Sequence, residues 1–567
     1  MTSSKRLIVA LSVALVMTGG ASAKGQTALQ APASPHGAES QHVPETAAKG
    51  EAQRQGVQGD QGSHGDHSDH TAPMAAMLMP GYGNGGFAIT TAVPQAQAFF
   101  TNGMQLAPAF AHRAAVKAME EAVRLDPACG MCLWGLALAD GPTINYGKDA
   151  AERKPLRKQA KQALKLVRKA GTLREQALAE ALVLRYHRGK NVARHDKMYA
   201  DAMRALVLQF PSDDVIAVLA ADAVMVAAAS DAEVAPAMPL LETVLARSPD
   251  DTPAIHFYIH ASEIVGTPAK AEPYASKLAA LAPKASHLVH MPSHTFYWVG
   301  RYQDAADTNM RAVELGIVNA RAMGLPDPEG VWDLPYHAHN VIFGLGGSMM
   351  AGDAKTGLAL ARPLVARSAL DEKAGPVMQL LAASGYFALA RFDTSEAVLA
   401  LAEPKGDYLK AARHYARGEV LASRGDIAGV EAEIAAIPES LAKPVMDKDK
   451  AKAGKSPGPD HASAPEQMLG ITRAVLRGRV AMLQNRFADA AKAFGDAAAI
   501  EETKDFGVFS DPPAFWYPVR RDIGRALLAA GDLVGARREL EASLKLRPKD
   551  AVALELLAKA NNVVAVN

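Results

Sequence analysis

From Val93 onward, small and apolar residues recur every three to four positions in runs broken by Gly, Asp or Pro, the pattern of short amphipathic helices joined by tight turns. The run FFTNGMQLAPAFAHRAAVKAMEEAVRLDP sets Gly103, Leu106, Ala115 and Ala122 where two helices must approach closely, and Pro127 ends the second. Near the C-terminus, VRRDIGRALLAAGDLVGARRELEASLKLRP repeats the arrangement with Gly524, Leu527, Gly531, Ala536 and Pro548. Between these runs, His256 and His290, His260 and His294, Gly266 and Gly300, and Ala271 and Ala305 are each 34 residues apart.

A period of 34 residues is that of the tetratricopeptide helix-turn-helix repeat. The expected fold is therefore all-α, a helix-turn-helix α-solenoid (superhelix), with one helical array over residues 93–442 and C-terminal repeats over 468–567. Between them, 443–467 is charged and rich in Pro and Gly and reads as a long loop or hinge. Residues 24–92 carry few large apolar groups and read as a disordered tail. Ahead of them, Lys5 and Arg6, the apolar run Leu7 to Met17, and Ala21-Ser22-Ala23 form a signal-peptide pattern ending at residue 23. An exported, periplasmic protein is expected, with no later run apolar enough to form a membrane span. With 61 basic and 60 acidic residues, the net charge of +1 gives no general attraction to nucleic acid.

The candidate chemistry lies in HFYIHASEIVG and HLVHMPSHTFYWVG. His256 and His260, and separately His287, His290 and His294, fall at spacings that share one helical face, and stacking brings the two stripes side by side. Glu263 extends the first stripe as a carboxylate ligand or general base, and His337 and His339 ahead of a later helix are candidates to complete the cluster. A lone histidine on such a face is most often a hydrogen-bonded groove residue, whereas this many at matched spacing point to a metal. Imidazole donors with at most one carboxylate favour Zn, Cu or Fe over Mg or Ca. Pro292 interrupts the second stripe at a cost of ~3 kcal/mol in a helix interior, so that helix either kinks or starts late. Cys129 and Cys132, one turn apart, suit a local disulfide, two packed thiols, or redox or soft-metal chemistry. In the tail, His64, His67 and His70 followed by Met74, Met77 and Met79 suit loose copper or zinc collection, or a plain solvated linker. No nucleotide or organic cofactor is implied.

Three motifs, Cys129 to Asn145 (CxMCxWGxAxxxGPxIN), His290 to His294 (HMPSH) and Tyr336 to Asn340 (YHxHN), make residues 95–435 resemble secreted bacterial tetratricopeptide-repeat proteins that carry these segments. That resemblance implies an α-solenoid and export, and no reaction. Function rests on the groove. The leading expectation is a binding scaffold that holds a protein or peptide partner in its concave groove, with a metal organising the site. A metal-dependent hydrolase or oxidoreductase is the first alternative, and a periplasmic copper- or zinc-handling protein is the second.

Overall fold

The computed structural model describes residues 77–441, 463–507 and 511–562. The signal-like segment, His64, His67, His70, Met74 and residues 443–462 of the expected loop lie outside them. All regular elements among the described residues are helices, paired as antiparallel hairpins and stacked as tetratricopeptide-type repeats. None of these helices is long and apolar enough to cross a membrane.

The hairpins form where the sequence places caps and small residues. Asp251 accepts a hydrogen bond from Ala254 N–H (2.8 Å) at the start of the helix Thr252–Ile264, which satisfies one of the four amides a helix start leaves free. That helix and the next inner one end at Gly266 (φ +76°) and Gly300 (φ +78°), left-handed positions that a side chain would strain. Close stacking follows from the small residues. A Cβ on Gly347 would lie 2.8 Å from Ala306 N, so the helices Tyr302–Ala322 and His337–Ala351 touch backbone to backbone there. Full burial of Trp134, Tyr186, Phe343 and Phe494 between the hairpins supplies ~1.5–3 kcal/mol for each such large apolar side chain.

Pro292 produces the kink rather than the late start. The helices Ser286–His290 and Pro292–Trp298 meet at Met291, whose φ −51° and ψ −36° remain helical, so all three histidines keep their common face. Cys129 and Cys132 form a disulfide at the start of the helix Gly130–Ala139.

Two segments differ from expectation. Residues 77–92 are ordered against the array: Asn102 accepts from Met79 N–H and donates to Met79 C=O, both at 2.8 Å, and Phe87 packs edge-on to Phe100 at 5.1 Å. Composition concealed this because a few anchors, Tyr82, Phe87 and the backbone bonds, offset the chain entropy. At the other boundary, residues 464–467 belong to the helix Ala464–Leu483, which Pro465 opens in its first turn.

The C-terminal hairpins also pack back on the central ones. Tyr297 donates to Trp516 C=O (3.3 Å), Tyr302 donates to Pro548 C=O (2.7 Å), and the Arg547 guanidinium lies 4.4 Å from the Trp298 ring centre.

Candidate metal centre

Two neighbouring inner helices, Thr252–Ile264 and the kinked pair Ser286–Trp298, carry five imidazoles into one buried cluster, and His339 enters from His337–Ala351. His256, His260, His287, His290 and His294 are each 5 % exposed or less, whereas His339 is partly exposed. They are enclosed and do not line an open groove. Phe110 covers one side, stacked on His287 at 4.6 Å, and Tyr336 lies 4.5 Å from the same ring. Asp511, from the segment before the helix Arg520–Ala529, covers another, with Oδ1 3.0 Å from His294 Nδ1.

The outer ring nitrogens are tied down. His256 Nδ1 is 2.6 Å from Pro108 C=O, an acceptor only, so that nitrogen carries the proton and Nε2 is left with its lone pair. His290 Nδ1 is 2.6 Å from Asn309 Oδ1, and His294 Nδ1 is 2.7 Å from Glu263 Oε2. Within the cluster, His256 Nε2 faces His287 Nε2 at 3.1 Å, and His290 Nε2 faces His294 Nε2 at 2.9 Å. His260 Nε2 and His287 Nδ1 have no hydrogen-bond partner although both are buried.

Burial sets the charge state. It pushes His256 down to about 3 and holds His260, His287 and His290 well below the ordinary imidazole range, each reinforced by neighbouring rings. These imidazoles are neutral, with lone pairs free to bind a cation. His294 is the exception. Burial opposes its charge, but the carboxylates of Asp511 and Glu263 outweigh burial and push it up to about 10. Only one of the two carboxylates aligns with its Nδ1–H: Glu263 accepts the bond, while Asp511 Oδ1 sits off the hydrogen-bond axis and acts through charge.

Three groups of side chains can each direct donor atoms to within 4.8 Å of one another: His256, His260 and His287; His290, His294 and His339; and His260, Glu263 and His294. Both oxygens of Glu263 are engaged, one by His294 Nδ1 and the other by Trp298 Nε1 at 2.6 Å. His337 belongs to none of these groups. It turns away from the cluster and packs edge-on against Trp332 at 4.8 Å, because residues two apart on a helix point to nearly opposite sides. Met77, the one described member of the tail set besides Met79, is exposed. Sequence reasoning missed Asp511, Asn309 and Pro108. Asp511 was legible only as a turn signal beside Pro512 and Pro513, and a backbone acceptor such as Pro108 C=O leaves no mark on composition.

No family model and no curated protein matches the chain. Solved structures that align with it include the APC/C hetero-tetramer Cut9–Hcn1 (14 % identity, 82 % of this chain and 76 % of that one, TM-score 0.29). Yeast Tom70 aligns at 11 % identity over 83 % of this chain and 89 % of that one, TM-score 0.25. The human IFIT1 dimer aligns at 10 % identity over 82 % and 90 %, TM-score 0.27. Likeness at this level carries no argument about function.

Proposed function

We propose that this is a metal-binding helical-repeat protein whose enclosed histidine cluster holds a first-row transition metal. The observation that carries the reading is the anchoring of three imidazoles by their outer nitrogens. With Nδ1 of His256, His290 and His294 committed to Pro108 C=O, Asn309 Oδ1 and Glu263 Oε2, each ring turns Nε2 toward its neighbours, the arrangement in which a hydrogen-bonded outer shell orients ligands. The unpartnered Nε2 of His260 supports it, since a buried polar atom without a partner costs ~1–3 kcal/mol that a bound cation offsets. Glu263 then serves as a positioning residue for His294. A peptide in a groove would not touch these enclosed histidines, so a scaffold role, if the protein has one, uses other surfaces. The export expected from residues 1–23 is in keeping with the Cys129–Cys132 disulfide.

Elemental analysis after desalting tests the reading. Wild-type protein exposed to zinc or copper should retain metal, and the His260→Ala, His294→Ala double variant should lose most of it. A wild-type protein that emerges without metal from both loadings would overturn the proposal.

A further inference from the structure

We infer that the cluster is built for two ions, one on His256, His260 and His287 and the other on His290, His294 and His339; this rests on the metal-binding reading above. Each set brings three imidazole donors within 4.8 Å, and no imidazole belongs to both. The close nitrogen pairs fall one in each set, His256 with His287 at 3.1 Å and His290 with His294 at 2.9 Å. Two imidazoles on one tetrahedral ion at ~2.0–2.1 Å hold their nitrogens ~3.3 Å apart, so each pair needs to open by only a few tenths of an ångström.

The competing arrangement is a single ion on His260, Glu263 and His294. It is the poorer host, because both Glu263 oxygens are already committed, to His294 Nδ1 and Trp298 Nε1. It would also leave the His256–His287 pair unexplained. The two sets are adjacent, with the His260 and His294 rings 5.4 Å apart and those of His287 and His290 5.7 Å apart, so the ions would form a neighbouring pair of the kind that shares a bridging ligand. Six imidazoles, five of them neutral and His294 giving up its Nε2 proton as it binds, favour copper or zinc over magnesium and calcium, which require oxygen donors.

The test is stoichiometry on the full chain, loaded in separate arms with zinc alone and with Cu(I) alone and freed of excess metal. Two ions per chain in either arm are expected. His287→Ala and His339→Ala should each retain one ion, and the variant carrying both changes should retain none. X-ray absorption of the loaded wild type should show metal–metal scattering at ~3–4 Å. One ion per wild-type chain, unchanged in both single variants, would overturn the pair and leave the metal-binding reading intact. No metal in the wild type would overturn both. Because His287 is buried, its variant carries a risk of misfolding; partly exposed His339 does not, and the fall from two ions to one in His339→Ala decides the matter alone.

Discussion

His290 Nδ1 lies 2.6 Å from Asn309 Oδ1, and that amide is itself fixed by donation from its Nδ2 to Ala305 C=O at 2.7 Å. The second bond settles which end of the amide is oxygen, and the first therefore places the proton of His290 on Nδ1 and its lone pair toward His294. Asn309→Ala should release the ring and weaken metal binding by about 10–100-fold, as loss of an outer-shell partner does elsewhere. Competition titration against a chromogenic chelator reads the change. An unaltered affinity would mean that His290 is not a ligand.

Glu175 joins the tail to the array. Its carboxylate accepts from Thr172 N–H (2.7 Å) in a capping box and from Thr90 N–H (2.6 Å) and Thr90 Oγ1–H (2.7 Å). Glu175→Ala should free residues 77–92 while the helices remain, and limited proteolysis should then cut within that segment well before the wild type is cut. Equal cleavage rates would show that Phe87 and Asn102 hold it unaided.

Gly347→Ala would drive a methyl against Ala306 N at 2.8 Å and Tyr302 C=O at 3.1 Å. Backbone cannot rotate aside as a side chain does, so the two helices must part. The expected loss is about 1–2 kcal/mol after the better helix propensity of alanine is allowed for, measured as a lower urea midpoint. A raised midpoint would show that the helix pair is not in contact there.

Glu501 supplies a pH dependence of its own. Burial, against the opposing bond from Val519 N–H (2.9 Å), raises its carboxyl from 4.5 to about 8. The folded state then holds a proton that the unfolded chain has released, so stability from this group is full at acid pH and falls as pH rises from about 5 to about 8. Glu501→Gln keeps an acceptor for Val519 and should flatten that slope in denaturation midpoints taken across the interval. A parallel slope in the variant would assign the effect to another group.

The hairpin stack was legible because each repeat writes its own local rules, a glycine at the turn and small residues where helices touch, and the 34-residue offset of His256 and His290 exposed their register. The five clustered histidines followed from helical spacing, which survived Pro292 because Met291 kept helical angles. What failed was either angular or remote. His337 was grouped with His339 although two residues of helix turn the chain through about 200°. Asp511 reaches His294 from 217 residues away in a loop, and no periodicity connects them. Enclosure was equally unreadable, since Phe110 and Tyr336 close over the rings only once distant hairpins meet.

A linear stack of repeats behaves like a row of dominoes in which each unit knows only its neighbours, and its ends can fray without consequence for the middle. The contacts of Trp516 and Pro548 with Tyr297 and Tyr302, together with Asp511 on His294, remove that independence here. Melting of the last hairpins would strip His294 of a counter-charge and uncover the centre of the molecule. Loss of the C-terminal hairpins should therefore be felt as a single cooperative event, in which their integrity and occupancy of the histidine cluster rise and fall together.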